Sequence, residues 1–310
     1  MNSTMPAQRG VALITAVLIT AVIAIAAVAM AAQQTLAVRR TANIIDGDRA
    51  YVFALGVESW AQQMLLRDKR DNQTDYLGED WAQHLPPIAV EGAVVTGHIE
   101  DMQGRFNLNN LVDKTGKVSP LDMQRFQLLL SELRLDPTLA DAVVDWIDPD
   151  SDVMQPGGAE DAEYMRADVP YRAANRPFAS ASELLLVKGF TADNYQKLAP
   201  YVTALPVFTA INVNTAPKEV LMALANGITD SDAQQLVDAR SDKGFAAVSD
   251  FVGHQALAGR GVKPDGLSVA SDYFLLDAAT QFGRGQTHLY SVLARSPTGV
   301  VTISRAQGAF

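Results

Sequence analysis

The chain has 310 residues, which is enough for two or three domains and a sizeable hydrophobic core. Its formal net charge of −10 at pH 7 disfavours a nucleic-acid or anionic-membrane surface. It contains no cysteine, so disulfides, thiolate metal sites and cysteine catalysis are excluded.

The N-terminal region contains one uncharged apolar run, Val11–Ala32, directly after Arg9-Gly10. Its about 22 residues, at about 1.5 Å each, can cross a hydrocarbon core about 30 Å thick. An amphipathic segment, 33–70, follows without a proline, so that the run and this segment together predict one helix on the order of 90 Å long. A secretory signal is the alternative, because Ala27-Val28-Ala29 is a small-x-small site that a signal peptidase could cut.

The rest of the chain predicts an α+β fold. Residues 71–87 are polar and predict a loop, and partial alternation over 89–100 predicts a strand. Helical periodicity dominates from 120 to 252, and it includes one long helix predicted over 192–205. Strands return near the C-terminus, and we expect them to share a sheet with the first strand, so that a large all-helical domain is inserted into an α+β body. These strands are predicted at 273–280, 287–295 and 299–305.

The helical block contains a degenerate internal repeat, in which 140–146 resembles 233–239 and 177–184 resembles 244–251. The second copy is similar to helix-hairpin-helix modules, which often bind DNA through a Gly-x-Gly hairpin. Here the hairpin reads Asn226-Gly227-Ile228-Thr229-Asp230, so the second glycine is absent and an acid stands nearby. We therefore favour a protein-contact role, and a DNA-binding receptor stays as the less favoured alternative.

The stretch between Asp145 and Asp168 is dense in carboxylates, which repel one another unless they are solvated or bound to a cation. Asp148-Pro149-Asp150-Ser151-Asp152 alternates acids as calcium loops do, and Pro156-Gly157-Gly158 lets the chain turn back. Histidine and cysteine are absent from this stretch, which disfavours zinc, copper and iron. The residues alone leave two interpretations open, a calcium site and a solvated acidic loop.

Catalytic interpretations have less support. A pair of acids could serve a glycosidase, but clustering in one Gly- and Pro-containing loop suits a cation better. The histidines are scattered without the spacing of a metal site or a catalytic triad, and we predict that the protein is not an enzyme. They are His84, His98, His254 and His288.

Two groups of motifs carry a family resemblance. Gln8-Arg9-Gly10-Val11-Ala12-Leu13 resembles a type IV prepilin leader, which a dedicated peptidase cuts after the glycine. Thr15 stands where that family nearly always has Glu, a departure that the minor pseudopilin K family of type II secretion shares. That family is also resembled, in order along the chain, by Gly104-Arg105-Phe106-Asn107, Asp145-Trp146-Ile147-Asp148-x-Asp150, Gly158-Ala159-Glu160-Asp161 and Asn212-Val213-Asn214-Thr215-Ala216.

The resemblance implies a pilin-type body with an antiparallel sheet, an inserted helical domain and one or two bound Ca²⁺ ions. It implies a leader at 1–10, a transmembrane and spine helix at 11–70, a body at 71–110 and 265–310, and an insertion at 111–264 with its calcium loop at 145–168. The implied ligands are Asp148, Asp150, Glu160 and Asp161, with Asp145, Asp152 and Glu163 as second choices.

The resemblance also implies a function. The chain would be a non-enzymatic subunit that, with I- and J-type minor pseudopilins, initiates and caps the periplasmic pseudopilus. The prepilin peptidase would cut between Gly10 and Val11 and the new N-terminus would be methylated, leaving a single-pass inner-membrane protein that is mostly periplasmic and binds no nucleic acid. The main alternative is a signal-anchored periplasmic calcium-binding protein unrelated to pili.

Overall fold

The computed structural model of the protein describes residues 9–241 and 243–308. One continuous helix, α1 (Arg9–Asp71, 63 residues), contains the apolar run and the amphipathic segment, as predicted. The predicted leader residues 1–8 lie outside the described part of the chain. Residues 10–45 of α1 are all exposed, whereas one face is covered from there on. Small side chains, among them Ala50, Ala54 and Ala61, are fully buried there and let the helix lie close to the sheet.

The covering layer is a five-stranded antiparallel sheet made of β1 (Leu85–Val90), β2 (Ala93–Asp101), β7 (Tyr273–Phe282), β8 (Gly285–Ser296) and β9 (Gly299–Gln307). The strands lie in the order β1-β2-β7-β8-β9. Strand β8 runs along α1 in the same direction: Arg284, just before β8, lies near Asp46, Ser291 lies at Glu58, and Arg295 lies at Asp68.

The β1–β2 hairpin corrects the sequence prediction, which had a loop up to Pro87 and a single strand over 89–100. The chain instead enters the sheet at Leu85 and reverses at Glu91-Gly92, where both residues have positive φ (47° and 85°). Two consecutive positive φ values are typical of a tight hairpin turn. Pro86 and Pro87 are tolerated because β1 is an edge strand, where a missing N–H need not interrupt a ladder.

The regular structure of the insertion between β2 and β7 consists mainly of short helices that are separated by loops. A long predicted helix over 192–205 is shorter in the structure: α5 (Ala192–Leu198) is followed by a 3-10 turn at Ala199–Tyr201 that contains Pro200, which cannot donate a helical hydrogen bond. The other helices are α2 (Pro120–Glu132), α3 (Leu139–Ile147), α4 (Asp161–Tyr164), α6 (Lys218–Met222), α7 (Asp230–Ala239) and α8 (Val248–Val252).

Two short parallel strand pairs join distant parts of the insertion; the sequence indicated a short strand ending at Phe106 but not the pairing. Strand β3 (Phe106–Asn107) pairs with β4 (Val202–Thr203), and β5 (Ile211–Asn212) pairs with β6 (Leu267–Ser268). Strands of two residues carry no alternation that a sequence pattern could reveal. The first pair joins the start of the insertion to its middle, and the second joins its middle to its end.

The insertion has its own core and lies at the far end of the spine. Its core includes Phe106 stacked on Phe126 at 5.3 Å, whereas a smaller cluster around Trp81 and Phe274 lies between α1 and the sheet. The chain leaves the sheet at Asp101 and returns at Tyr273, at the end of the sheet where α1 also ends. The bulk of the insertion is therefore distal to the apolar run.

Candidate metal centre

The acidic loop is built around the C-terminal half of α3. Asp141 and Asp145 lie four residues apart, one helical turn, and both accept hydrogen bonds from the returning loop. Asp141 Oδ2 accepts from the Gly157 N–H (3.0 Å), and both Asp145 oxygens accept from the Met154 N–H (3.1 Å each). The helix thus fixes the loop before any cation is considered.

Three carboxylates converge beside this helix. Asp148, Asp150 and Glu160 each offer one oxygen, and these oxygens lie within 4.8 Å of one another. Asp148 and Glu160 are only 6% and 4% exposed. Asp148 Oδ1 and both oxygens of Glu160 are buried without a hydrogen-bond partner among the described residues. Buried carboxylates are costly unless they are paired, so this arrangement is suited to a cation.

The raised pKa values of these carboxylates also indicate that the group is suited to a cation. Burial, followed by repulsion from Asp150 and Asp145, raises the pKa of Asp148 to about 6. Burial and the same neighbours, together with Asp148, raise the pKa of Glu160 to about 7. Burial likewise raises the pKa of Asp145 to about 6 against the hydrogen bonds that it accepts. A divalent cation would reverse these shifts, because it favours the ionised carboxylates.

The remaining predicted ligands lie elsewhere around the loop. Asp161 accepts a hydrogen bond from the Ala173 N–H (3.0 Å) and lies 3.7 Å from Arg172 Nε. Glu163 pairs with Arg166 (3.2 Å), and both side chains are largely exposed. Asp152 is exposed, and its N–H donates to Asp150 Oδ1 (2.8 Å). The structure therefore brings Asp148, Asp150 and Glu160 together beside Asp145 and places Asp161 and Glu163 with arginines.

The sequence analysis did not identify Asp141 as a supporting residue, and it named Gly158 only as part of a turn and a motif. Asp141 could have been found from its i, i+4 relation to Asp145. Gly158 has a clearer structural reason, because a Cβ at this position would overlap Asp145 Oδ2 and Met154 O. The loop is also braced by Trp146, whose ring packs edge-on against Tyr164 with centroids 5.2 Å apart.

A second carboxylate group in the described chain differs in one respect. Asp68, Asp75 and Glu79 also bring oxygens within 4.8 Å of one another. Here, however, Arg295 lies among them and pairs with Asp68 (2.8 Å) and Asp75. An arginine occupies the place that a metal would need, so this group is not a metal candidate.

The predicted processing site lies on the exposed start of α1. Gly10, Val11 and Thr15 are all exposed, and the Thr15 hydroxyl donates to the carbonyls of Val11 and Ala12 (3.0 Å each). Thr15 is thus satisfied within its own helix, as a polar group in a membrane must be. By length and composition, α1 can cross a membrane.

A helix that is apolar enough at its start to cross a membrane, is packed on an antiparallel sheet at its end and is followed by an inserted domain is typical of a pilin-like subunit. Comparison with known families is more specific: two models described as type II secretion system (T2SS), protein K match residues 104–207 and 211–270. The chain belongs to the type II secretion system protein K family.

Individual relatives agree with this assignment. Type II secretion system protein K of Pseudomonas aeruginosa is 38% identical over 96% of this chain and 91% of the relative. The protein K of Pectobacterium carotovorum subsp. carotovorum is 33% identical over 98% of this chain and 97% of the relative. Among solved structures, a chain of the GspK-GspI-GspJ complex from enterotoxigenic Escherichia coli matches with a TM-score of 0.79 and 29% identity, covering 87% of this chain and 100% of that one.

These findings confirm the predicted family and the α+β fold class, and they identify the chain as a minor pseudopilin of type II secretion. The internal repeat within the insertion stays a prediction.

Proposed function

We propose that this minor pseudopilin initiates the periplasmic pseudopilus and remains as its cap. The observation that carries the proposal is the position of the insertion, which lies beyond the end of α1 that is distal to the apolar run. Subunits with parallel spines can join below such a bulky domain, whereas the domain hinders addition above it. The role is structural, and we propose no catalytic activity.

The spine offers a place for a neighbouring subunit. An apolar groove of about 370 Å³ runs between α1 and the edge of the sheet, lined by Phe53, Trp60, Ile88 and Val90 among others. Gly56 lines it as well, and a side chain there would meet no atom within 4 Å. Small residues let helices approach closely. Because the solved relative is in a complex with GspI and GspJ, we propose I- and J-type minor pseudopilins as the partners here.

We further propose that the chain is anchored in the inner membrane with its bulk in the periplasm, after the prepilin peptidase has cut between Gly10 and Val11. Mass spectrometry of the mature N-terminus tests this directly. A chain that begins at methylated Val11 supports the proposal. A chain that begins near Gln33 or keeps Met1 contradicts it and favours the signal-anchored alternative.

Thr15 takes part in the proposed cap role. In pilins the glutamate at this position is thought to pair with the N-terminal amine of a neighbour, and a cap has no subunit above it to pair with. Thr15→Glu should therefore alter tip placement or assembly, which pull-down of the other minor pseudopilins from membranes would measure. Unchanged assembly would remove Thr15 from the proposal without affecting the cap role itself.

We propose that the candidate metal centre binds Ca²⁺ through Asp148, Asp150 and Glu160, with Asp145 beside them. All four are oxygen donors, which suit calcium rather than zinc, and the unpartnered buried oxygens of Asp148 and Glu160 support the proposal. The ion would neutralise the group and hold the loop against α3. A calcium titration followed by heat unfolding tests it, with Asp148→Ala as the variant. The absence of any gain in stability with calcium would contradict it.

A further inference from the structure

One arginine and three carboxylates form a buried junction where the spine helix ends. The Arg295 side chain is fully buried, its Nη1 lies 2.8 Å from Asp68 Oδ2, and its Nη2 lies 2.6 Å from Asp75 Oδ1. Nη2 also donates to the Ser271 carbonyl (2.6 Å). With Glu79, these residues form what we call the Arg295 junction: Arg295, Asp68, Asp75 and Glu79.

Glu79 is held by neutral donors. Its Oε2 accepts from Trp81 Nε1 (2.6 Å) and the Tyr76 N–H (3.1 Å), and its Oε1 accepts from Asn72 Nδ2 (2.6 Å). Asn72 Nδ2 also lies 3.3 Å from Asp68 Oδ1, so one amide bridges the two carboxylates. Glu79 therefore adds a negative charge to the junction, and its neutral hydrogen-bond donors do not compensate that charge.

The junction joins the spine to the returning end of the insertion. The Asp75 N–H donates to the Val269 carbonyl (2.9 Å), and the Ser271 N–H donates to Asp75 Oδ2 (2.7 Å). Asn212, in β5, donates to the Asp75 carbonyl (3.0 Å). If the contacts of these carboxylates loosen, the hydrogen bonds that attach the insertion to the end of the spine should weaken as well.

The charges around the junction are unbalanced. Three carboxylates face one guanidinium, and the buried Asp101 adds a fourth acid, held by Ser271, Thr215 and Asn212. At the rim, Lys69 is paired with Asp272 at 3.7 Å. Burial, then Glu79 and Asp75, raise the pKa of Asp68 to about 7. Burial also raises the pKa of Glu79 and of Asp101.

We propose that the Arg295 junction is a proton-dependent clasp between the spine helix and the inserted domain, closed while its carboxylates share one proton and loosened when that proton leaves. Carboxylates that crowd one arginine repel one another once all are ionised. Because the pKa of Asp68 is raised in the folded state, its favourable contribution is fully present below about pH 4 and is lost as the pH rises through about 7.

Hydrogen exchange of the Ser271 amide tests the clasp, because this N–H donates to Asp75 within the junction. The full chain in detergent micelles is measured between pH 5.5 and pH 8.5, and the rates are corrected for the intrinsic pH dependence. In the native chain we expect protection to fall by about tenfold for each pH unit below the raised pKa and to level off above it. Asp68→Asn, which keeps an oxygen for Arg295, should make the profile nearly flat.

Two further variants keep the test sharp. Asp46→Asn is the control and should leave the profile unchanged. Asp46 lies on the same helix, but it accepts a hydrogen bond from the backbone N–H of Arg284 and does not take part in the junction. Glu79→Gln removes one repelling charge and should move the midpoint to lower pH, even if Asp68→Asn fails to fold. The proposal is overturned if Asp68→Asn keeps the native slope or if Glu79→Gln leaves the midpoint in place. The acidic-loop carboxylates affect all the chains equally, so the differences report on the junction.

Discussion

Glu160 is buried in a way that is unfavourable for a carboxylate without a cation. It is 4% exposed, and neither carboxylate oxygen accepts a hydrogen bond from the described residues. Glu163, three residues later, is exposed and paired with Arg166. The sequence offered both as ligands because composition cannot tell which acids turn inward. That choice depends on the path of the loop, which Asp141 and Asp145 fix through backbone hydrogen bonds.

The pair provides a matched test of the metal centre. Glu160→Gln should weaken calcium binding by at least about tenfold, because it removes a charged ligand from a buried group. It should also raise the stability of the calcium-free chain, since one buried carboxylate is neutralised. Isothermal titration and heat unfolding measure the two effects. Glu163→Gln is the control, and equal weakening in both variants would contradict the assignment.

Glu58 shows how one residue fixes the spine to the sheet. It is 3% exposed, receives two hydrogen bonds from Arg305 (2.7 and 2.8 Å) and one from the Ser291 hydroxyl (2.6 Å). These bonds, against the opposing effect of burial, hold the pKa of Glu58 below its usual value. Helix periodicity alone would not mark this glutamate, because its partners lie more than two hundred residues away along the chain.

Removing this contact should be costly. Glu58→Ala should lower the free energy of unfolding by about 2 kcal/mol, since it leaves Ser291 and Arg305 without their charged acceptor. Urea unfolding in detergent micelles measures the change. Ser59→Ala, at the neighbouring exposed position, should stay within about 0.5 kcal/mol. A loss in Glu58→Ala no larger than in the control would show that Glu58 does not hold the sheet.

At the scale of elements, the long helix and the C-terminal strands were predictable because each carries a strong periodic pattern over many residues. The β1 strand was not, because its two prolines look like a loop until the sheet order shows that the strand lies at an edge. The two-residue strand pairs depend wholly on long-range contacts and have no local signal.

The packing of α1 on β8 can be tested with two glycines. Gly285 begins β8, and a Cβ there would overlap the backbone of Asp46 and Gly47. Gly299 begins β9, and a Cβ there would meet no atom within 4 Å. Gly285→Ala should therefore lower the midpoint of heat unfolding by several degrees, whereas Gly299→Ala should not. Equal midpoints for the two variants would contradict the close approach of helix and strand.

At the scale of the whole molecule, a rise in pH should lower the stability of the calcium-free chain, and bound calcium should oppose this loss. The pKa values of Asp145 and Asp148 are raised to about 6 and that of Glu160 to about 7. Groups with raised folded-state pKa values contribute stability that is fully present below about pH 4 and is lost as the pH rises through 6 to 7. The calcium-free chain should therefore be less stable at pH 8 than at pH 5.5.

Calcium should remove this loss, because it binds the ionised carboxylates and competes with protons. We expect the gain in unfolding midpoint with calcium over EDTA to be larger at pH 8 than at pH 5.5. Heat unfolding of the full chain at both pH values measures it. A gain of equal size at both would mean that calcium does not act through these carboxylates.

By itself, the sequence determined the apolar-to-amphipathic helix, the α+β class, the family and the acidic stretch in the insertion. Local sequence patterns predict each of these features: periodicity, composition and motifs in a fixed order. Only the tertiary structure decided which acids converge, that Arg295 occupies one acidic group while the group at Asp148 has no such partner in the described chain, and that the insertion lies beyond the end of the spine. Burial and pairing between residues far apart in the chain set these outcomes, and no local pattern records them.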